Sequence, residues 1–140
     1  MHIRPFQPAD RAAVVQLWQA CQLTVPWNDP NKDIDRKLKV GADLFLIGER
    51  DGQIVASVMG GYEGHRGWIN YLAVDPSHQR QGLAQQMMQA IEQKLTDLGC
   101  PKINLQVRNT NTAVIAFYEA LGYQIDAAVS LGKRLESDQA

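Results

Sequence analysis

The sequence predicts an α/β fold in which a single mixed, mostly antiparallel sheet is flanked by helices. In the first half, short apolar runs containing β-branched residues follow one another across tight turns, as in antiparallel hairpins. In the second half, a long helical pattern separates two further runs, and this strand-helix-strand order produces parallel pairing. With 140 residues, 45% of them hydrophobic, the chain fills one core but not two, so we predict one domain over residues 1–140.

The N-terminal part of the chain predicts one strand followed by two helices. Residues 2–6 form the strand, and Pro8 and Asp10 then precede a helical pattern. One face of that helix carries Val14, Leu17, Trp18 and Cys21. Two prolines and Trp27 within residues 23–30 interrupt the pattern before a second, more charged helix at about residues 31–40. A loop with an aromatic side chain is therefore expected between the two helices.

Three strands are predicted in the middle of the chain. Residues 44–49 and 53–59 flank Arg50-Asp51-Gly52, a turn sequence that favours a hairpin. Residues 60–67 are glycine-rich and are expected to form a connection, after which residues 68–74 form the next strand.

The remaining elements follow in the order helix, strand, helix and two short strands. The long helix covers residues 82–98 and ends at Gly99, the strand covers residues 102–108, and the next helix covers residues 112–121 and is closed by Gly122. Residues 123–128 and 129–135 are predicted to add two last strands. The polar tail, residues 136–140, is expected to fray.

The composition argues against several classes of protein. The 14 Lys and Arg residues nearly balance the 15 Asp and Glu residues, so no overall field attracts nucleic acid or an anionic membrane. The apolar stretches are short and the N-terminus lacks a secretory signal, which predicts a cytoplasmic protein. Cys21 and Cys100 form neither a CxxC motif nor a Cys/His cluster, so we expect free thiols and no metal site.

The segment with the clearest chemistry joins the strand at residues 68–74 to the long helix. The strand ends in Tyr71-Leu72-Ala73-Val74, and the helix begins within Gln79-Arg80-Gln81-Gly82-Leu83-Ala84. The first N–H groups of a helix lack intrahelical partners and lie at the positive end of its dipole, so they bind phosphate or pyrophosphate. Gly82 and Ala84 would let such an anion approach the main chain. Alone, the string also fits a capped helix whose glycine packs against a strand.

The order of these residues resembles the acetyl-CoA motif of the GNAT acetyltransferases, Gln/Arg-x-x-Gly-x-Gly/Ala after the fourth strand. Gln79, Gly82 and Ala84 occupy its three fixed positions. A second match lies downstream, where a strand is followed by Asn111 and by a helix that carries Phe117-Tyr118 before Leu-Gly-Tyr. The resemblance covers nearly the whole chain, and residues 26–30, 60–67 and 130–135 relate it to the small bacterial YpeA-type members. It implies the GNAT fold, with central strands four and five splayed apart.

The resemblance also implies which residues bind acetyl-CoA and which assist catalysis. The fourth strand would accompany the pantetheine arm, the loop and helix start would hold the pyrophosphate, and the last helix would contact the cofactor. The expected cofactor-binding residues are Leu72, Ala73, Val74, Gln79, Arg80, Gln81, Gly82, Leu83, Ala84, Gln85, Asn111, Phe117 and Tyr118. Tyr118 matches the tyrosine that hydrogen-bonds the CoA sulfur and protonates the departing thiolate.

The acceptor amine must be neutral to attack a thioester, although a lysine amine has a pKa of about 10.4 and an α-amine about 8. In the similar ribosomal-protein N-terminal acetyltransferases, a catalytic Glu stands where this chain has Gln106, which cannot accept a proton. The other candidate bases are Glu63, His65 and Asp29. We predict Glu63, because it precedes the fourth strand, near the expected acceptor channel. The alternatives are a solvated carboxylate at Glu63, a surface histidine at His65 and a helix cap at Asp29.

The predicted function is N-acetyl transfer from acetyl-CoA to a primary amine, by direct attack in a ternary complex. The acceptor would be a small-molecule amine or a peptide or protein amine. The alternative function is that of a catalytically weak acetyl-CoA or acyl-CoA sensor. We expect no nucleic-acid or membrane partner, and a monomer or homodimer. Trp27 belongs either to a lid or to the core, while Trp18 and Trp68 are predicted to pack.

Overall fold

The computed structural model describes residues 1–139, which form five strands and four α-helices. The strands are β1 (His2–Pro5), β2 (Phe45–Arg50), β3 (Gln53–Tyr62), β4 (Gly67–Val74) and β5 (Ile103–Leu105). The helices are α1 (Arg11–Ala20), α2 (Pro30–Val40), α3 (Leu83–Asp97) and α4 (Thr112–Ala120), with single 3₁₀ turns at Pro8–Asp10 and Pro76–His78. The strands lie in sequence order across one sheet, antiparallel except for the parallel β4–β5 pair. This confirms the predicted mixed, mostly antiparallel sheet flanked by helices.

The β2–β3 hairpin sets the register of the N-terminal half. Its turn residues Asp51 and Gly52 both have positive φ, +52° and +76°, the backbone conformation of a turn whose twist matches that of the strands. Successive β2 residues then point to opposite faces of the sheet, as the pleat requires. Leu46 joins the hydrophobic cluster on one face, and Phe45 and Ile47 join the cluster on the other.

Helices cover both faces of the sheet. The cluster on one face contains the α3 residues Leu83, Met87, Met88, Ile91 and Leu95, together with Tyr118 of α4. The cluster on the other face contains Val14, Leu17 and Trp18 of α1 and Ile34 of α2. Each large side chain buried in this way contributes about 1.5–3 kcal/mol. The sheet therefore gives a rigid frame for the loops at its ends, and the predicted apolar face of α1 is confirmed.

Half of the glycine-rich segment at residues 60–67 is strand, so its prediction as a connection is wrong for residues 60–62 and 67 and right for residues 63–66. β3 continues to Tyr62, and the turn to β4 occupies only residues 63–66. Gly60 explains the extension, because a Cβ at this position would lie 2.7 Å from Cδ1 of Ile91. The glycine thus permits close packing of β3 against α3 rather than interrupting the strand.

The two final strands predicted at residues 123–128 and 129–135 do not form. The apolar side chains in this segment are exposed, namely Ile125, Val129, Leu131 and Leu135. Their alternation predicts a strand, but nothing covers them, so the pattern has no buried face to stabilise it. β5 is also shorter than predicted, and Lys102 and Asn104 contact Asp126 through side chains, at 3.0 and 2.7 Å, instead of through a strand ladder. We call residues 124–139 the C-terminal arm.

Asp138 is anchored, so the prediction that residues 136–140 fray is wrong for this residue. This side chain is fully buried and pairs with Arg36 of α2 at 2.5 Å. Ala140, also within the predicted frayed tail, lies outside the described residues. Both cysteines are free, as predicted. No helix formed by residues 1–139 combines the length and the apolarity needed to cross a membrane.

Candidate active site

The two ends of β4 are paired differently. At its start, Gly67, Trp68 and Ile69 pair with β5, while β3 lies on the other edge. Within the described chain, no strand pairs with the β5-facing edge over residues 70–74. The predicted separation of strands four and five is therefore present, and it leaves an open stretch of strand edge beside the sheet.

A bulge in β4 lies where the pairing with β5 ends. Two steps along β3, from Ser57 to Met59, oppose three steps along β4, from Ala73 to Asn70. Tyr71 in this bulge has φ +52°, a left-handed conformation that costs an aromatic residue about 1–3 kcal/mol. Bulges bend a strand and increase its twist, so this one directs β4 away from β5.

Side chains from three elements hold Tyr71 in its left-handed conformation. Its ring stacks on Trp18 of α1 with centroids 3.8 Å apart, and its hydroxyl donates to Asp33 of α2 at 2.5 Å. Ser57 Oγ donates to the Tyr71 carbonyl at 2.8 Å and accepts from Trp18 Nε1 at 2.9 Å. Burial and the adjacent Asp33 carboxylate raise the pKa of Tyr71. Tyr71 is thus a structural residue that the sequence did not single out.

The loop after β4 is ordered by its own side chains. Asp75 accepts hydrogen bonds from the Ser77 amide and hydroxyl, at 2.9 and 2.8 Å, and so caps the 3₁₀ turn. Gln79 Nε2 donates to the Val74 carbonyl at 3.3 Å. Gln79 therefore fastens the loop to the end of β4, and Arg80 follows with φ +63°.

The start of α3 presents free backbone donors. Gly82 is its N-cap residue with φ +75°, and no side chain among residues 1–139 caps it. The first intrahelical bond to the Gly82 carbonyl comes from Gln86 N at 3.1 Å, which leaves the preceding N–H groups directed outward. A Cβ at Gly82 would meet nothing within 4 Å, so the space beside this residue is open. We call residues 79–85 the anion cradle.

Two further cradle residues, Gln81 and Leu83, anchor it. Leu83 is buried in the core cluster beneath α3, so it offers only main-chain groups to a ligand. Arg50 at the end of β2 donates to the side chain of Gln81, which ties the cradle to the β2–β3 hairpin. Arg80 and Gln85 are exposed.

Helix α4 carries the other residues that were predicted to contact the cofactor. Asn111 is its N-cap, and its Oδ1 accepts from Val114 N at 3.4 Å, which leaves the Asn111 amide N–H groups available. The ring of Tyr118 makes edge contacts with Phe117 and Tyr123, with centroids 5.1 and 5.5 Å apart. Tyr118 is 8% exposed, and burial raises its pKa to about 12. The hydroxyl therefore keeps its proton at neutral pH.

Two of the three predicted bases are occupied by local hydrogen bonds. Glu63 accepts from the His65 amide at 2.7 Å, from the Arg66 amide and from Trp68 Nε1 at 3.1 Å, and these backbone bonds lower its pKa. Glu63 thus closes the β3–β4 turn, at the end of β4 that is paired with β5, and its role as base stays a prediction that this geometry does not favour. His65 is exposed in the same turn. Trp68 is 40% exposed, so its prediction as a packing residue is wrong.

Asp29 has the capping role that was the alternative interpretation. Its Oδ1 accepts from the amides of Asn31 and Lys32, at 2.8 and 3.4 Å, at the start of α2. Gln106 lies just beyond β5 and donates to Ser130 Oγ of the C-terminal arm. In the described part of the chain, no three His, Cys, Asp or Glu side chains are grouped as a metal ion would require.

Two clefts border Gln106. The larger, about 1340 Å³, lies between β5, α4 and the C-terminal arm and includes Tyr118, but it contains none of the cradle residues. The smaller, about 680 Å³, separates the α1–α2 loop from the arm, and we call it the arm cleft. Its lining consists of Trp27, Asn28, Arg36, Gln106 and Gly132 to Glu136. Trp27 is 49% exposed, so it is not a core residue.

Comparison with known proteins agrees with this arrangement. The chain matches the Acetyltransferase (GNAT) family over residues 12–123. An acetyltransferase of Pectobacterium atrosepticum is 50% identical over 139 residues, which is 99% of both chains. In its fold the chain is similar to Ard1 from Thermoplasma volcanium, with a TM-score of 0.78 and 24% identity over 90% of this chain and 84% of that one. It is also similar to the ribosomal-protein-S18-alanine N-acetyltransferase of Escherichia coli, with a TM-score of 0.73 and 24% identity over 86% and 76%.

The YpeA-type subgroup stays a prediction, since the relatives fix the family but not the subgroup. The family match covers every element from α1 to α4, including the bulged β4 and the uncapped start of α3. The near full-length relative at 50% identity carries the same activity class in its name. This chain accordingly belongs to the GNAT family and is an acyltransferase.

Proposed function

We propose that this chain transfers the acetyl group of acetyl-CoA to a primary amine, by direct attack in a ternary complex formed within one domain. The observation that carries the proposal is the position of the anion cradle directly after the unpaired edge of β4. A diphosphate suits the cradle, because several N–H groups converge there at the positive end of a helix dipole. An extended pantetheine arm suits the strand edge, because its amides can pair with a free strand.

The residues present fit acetyl-CoA. The main chain of Leu72, Ala73 and Val74 would hold the pantetheine arm, although the Val74 carbonyl already accepts from Cys21 Sγ at 3.1 Å and from Gln79. The amides of residues 80–85 would hold the diphosphate, with the exposed Arg80 adding positive charge. The free amide of Asn111 and the ring of Phe117 would contact the pantetheine arm from α4. Gln79 would act by holding the cradle in place.

Tyr118 is the proposed general acid. Bound acetyl-CoA supplies an activated thioester, and its departing thiolate requires a proton. A hydroxyl whose pKa is raised to about 12 by burial stays protonated over the physiological range and can donate at that moment. Tyr118 packs in the same hydrophobic cluster as Val74 and Leu83, the residues that end β4 and begin α3.

We propose that the amine enters through the arm cleft and loses its proton to water. Gln106 lines this cleft and cannot accept a proton, and the carboxylates of Glu63 and Asp29 are occupied by backbone amides. Without a dedicated base, the fraction of neutral amine limits the rate. The rate should therefore rise with pH up to the pKa of the acceptor, which is about 8 for an α-amine and about 10.4 for a lysine.

The test combines acetyl-CoA titration calorimetry with an acceptor screen that detects released CoA thiol. The screen contains a peptide with a free N-terminal alanine, an N-terminally blocked lysine peptide and spermidine, since the E. coli structural neighbour is named for a protein α-amine. Tight binding with turnover of any of these amines supports the proposal. Tight binding without turnover across a wider amine panel would instead favour a sensor of acetyl-CoA or acyl-CoA. Absence of acetyl-CoA binding would refute both the transferase and the sensor function.

A further inference from the structure

The C-terminal arm and the α1–α2 loop face each other across the arm cleft. They contain two of the three strings that relate the sequence to the YpeA-type members, residues 26–30 and 130–135. Arg134 of the arm donates to Asn28 of the loop. The arm has no strand ladder, and its apolar side chains are exposed, so only a few side-chain contacts determine where it lies.

The strongest of these contacts is made by Asp138. Its carboxylate accepts two hydrogen bonds from Arg36, at 2.5 and 3.2 Å, and a third from the Asp29 backbone amide at 2.8 Å. Its side chain is 0% exposed, whereas that of Glu136, which also contacts Arg36, at 3.3 Å, is 73% exposed. A buried carboxylate with three donors is a much stronger anchor than an exposed ion pair.

On the basis of the proposed function, we infer that Asp138 is a positioning residue for the acceptor amine. By binding Arg36 and the start of α2, it fixes the arm against the α1–α2 loop and so holds the two walls of the arm cleft at their separation. Asp138 itself does not line the cleft, but its partner Arg36 and its neighbours Arg134 and Glu136 do. Its effect on the reaction would therefore be indirect.

The same geometry predicts that losing this contact leaves the rest of the fold intact. Neither hydrophobic cluster contains a residue of the C-terminal arm. Arg36 would keep its contact with Asp33 at 3.2 Å and its partial exposure to water. The cradle and β4 lie outside the arm. Acetyl-CoA affinity should consequently be independent of Asp138.

The experiment compares Asp138→Asn with a matched control, Asp35→Asn, which removes an exposed α2 carboxylate that pairs with Arg11 and lines neither cleft. Hydrogen exchange is measured without substrates at residues 25–30 and 131–139, with the β2–β3 hairpin as internal reference. KM and kcat are then measured for acetyl-CoA and for the two probe acceptors, the N-terminal alanine peptide and spermidine.

For Asp138→Asn we expect faster exchange in both segments, unchanged exchange in the hairpin, and a rise of about tenfold in acceptor KM with little change in kcat. The acetyl-CoA Kd should stay the same, Asp35→Asn should behave as wild type, and Asp138→Glu should recover part of the acceptor KM. An unchanged acceptor KM in an active enzyme, or an equal loss of hydrogen-exchange protection in the hairpin, would overturn this inference but leave the proposed function standing. A wild-type enzyme without turnover of any amine would overturn the proposed function, and the acceptor role of Asp138 with it.

Discussion

The two ends of β4 show how one strand can contain both a scaffold and the proposed binding site. At the closed end, residues 67–69 are paired on both edges, and Glu63 closes the preceding turn. At the open end, residues 70–74 lose β5, pass through the bulge at Tyr71 and lead into the anion cradle. The closed end fixes the position of the strand, and the open end keeps its backbone groups accessible.

Each end uses a glycine, but for a different reason. A Cβ at Gly67 would lie 2.9 Å from Cys100 Sγ and 3.3 Å from Ile103 and Leu95, so this glycine allows close packing. Gly82 has open space around it and is required for its φ of +75°. Packing density governs one end of β4 and backbone conformation governs the other, so equivalent substitutions should have different consequences at the two ends.

The largest effect is expected from Tyr118→Phe. The ring and its packing remain, so fold and acetyl-CoA affinity should be preserved, while the loss of the acidic proton should lower kcat. General-acid catalysis is worth about 100- to 10,000-fold, and the lower end applies because a thiolate is already a good leaving group. Calorimetry and steady-state kinetics with one acceptor measure both quantities. An unchanged kcat would make Tyr118 a packing residue.

The second largest effect is expected from a negative charge in the cradle, and it is tested by comparing the acetyl-CoA affinities of Gly82→Asp and Gly82→Asn. Both side chains tolerate positive φ and both would cap α3, so the pair differs essentially in one negative charge. Repulsion of a diphosphate at a few ångströms should weaken acetyl-CoA binding by about tenfold or more in the Asp variant relative to the Asn variant. Equal affinities of the two variants in calorimetry would show that the diphosphate does not bind at this site.

The closed end should respond in stability rather than in binding. Gly67→Ala introduces a methyl group into a filled space and should lower the free energy of unfolding by about 1–3 kcal/mol. Denaturant unfolding measures the loss, and acetyl-CoA affinity of the folded protein should not change. Adding Cys100→Ala removes Sγ, the atom closest to the new methyl group. The double variant should therefore lose less free energy of unfolding than the two single variants lose together. Weaker acetyl-CoA binding by Gly67→Ala would show that the two ends are not separable.

The smallest effect is expected from Glu63→Gln. The amide can still accept from the turn amides, so the hairpin should lose only a little thermal stability. Because this carboxylate is committed to the turn, the dependence of kcat on pH should match that of the wild-type enzyme. Loss of activity near neutral pH that alkaline pH restores would identify Glu63 as the base, as the sequence alone predicts, and would place chemistry at the closed end.

Local pattern was sufficient to predict most of the sheet and the helices, because their signals lie within a few residues. The Asp51-Gly52 turn, the apolar face of α1 and the glycine at the start of α3 are each readable from short windows of sequence. The GNAT family was predicted from a resemblance carried by two motifs, the Gln79 to Ala84 string and the segment from Asn111 to Tyr123. The cofactor-binding residues predicted from that resemblance remain part of the proposal.

The features that sequence reasoning missed depend on contacts between distant residues. The sequence around Tyr71 does not indicate a left-handed bulge, because the conformation is held by Trp18, Ser57 and Asp33 from other elements. Apolar and polar residues alternate in the C-terminal arm as they do in strands, but burial decides whether such a pattern forms a sheet. Asp138 looks like part of a solvated tail until Arg36, 102 positions away, is placed beside it.

Tyr71 also connects the strand edge proposed for acetyl-CoA to two helices packed on the sheet. Its backbone shapes the strand edge proposed for acetyl-CoA, while its side chain is held by α1 and α2, the helices that flank the loop bordering the arm cleft. The curvature of β4 therefore depends on how α1 and α2 are seated against the sheet, and a backbone conformation that an aromatic residue disfavours persists because three other elements hold it.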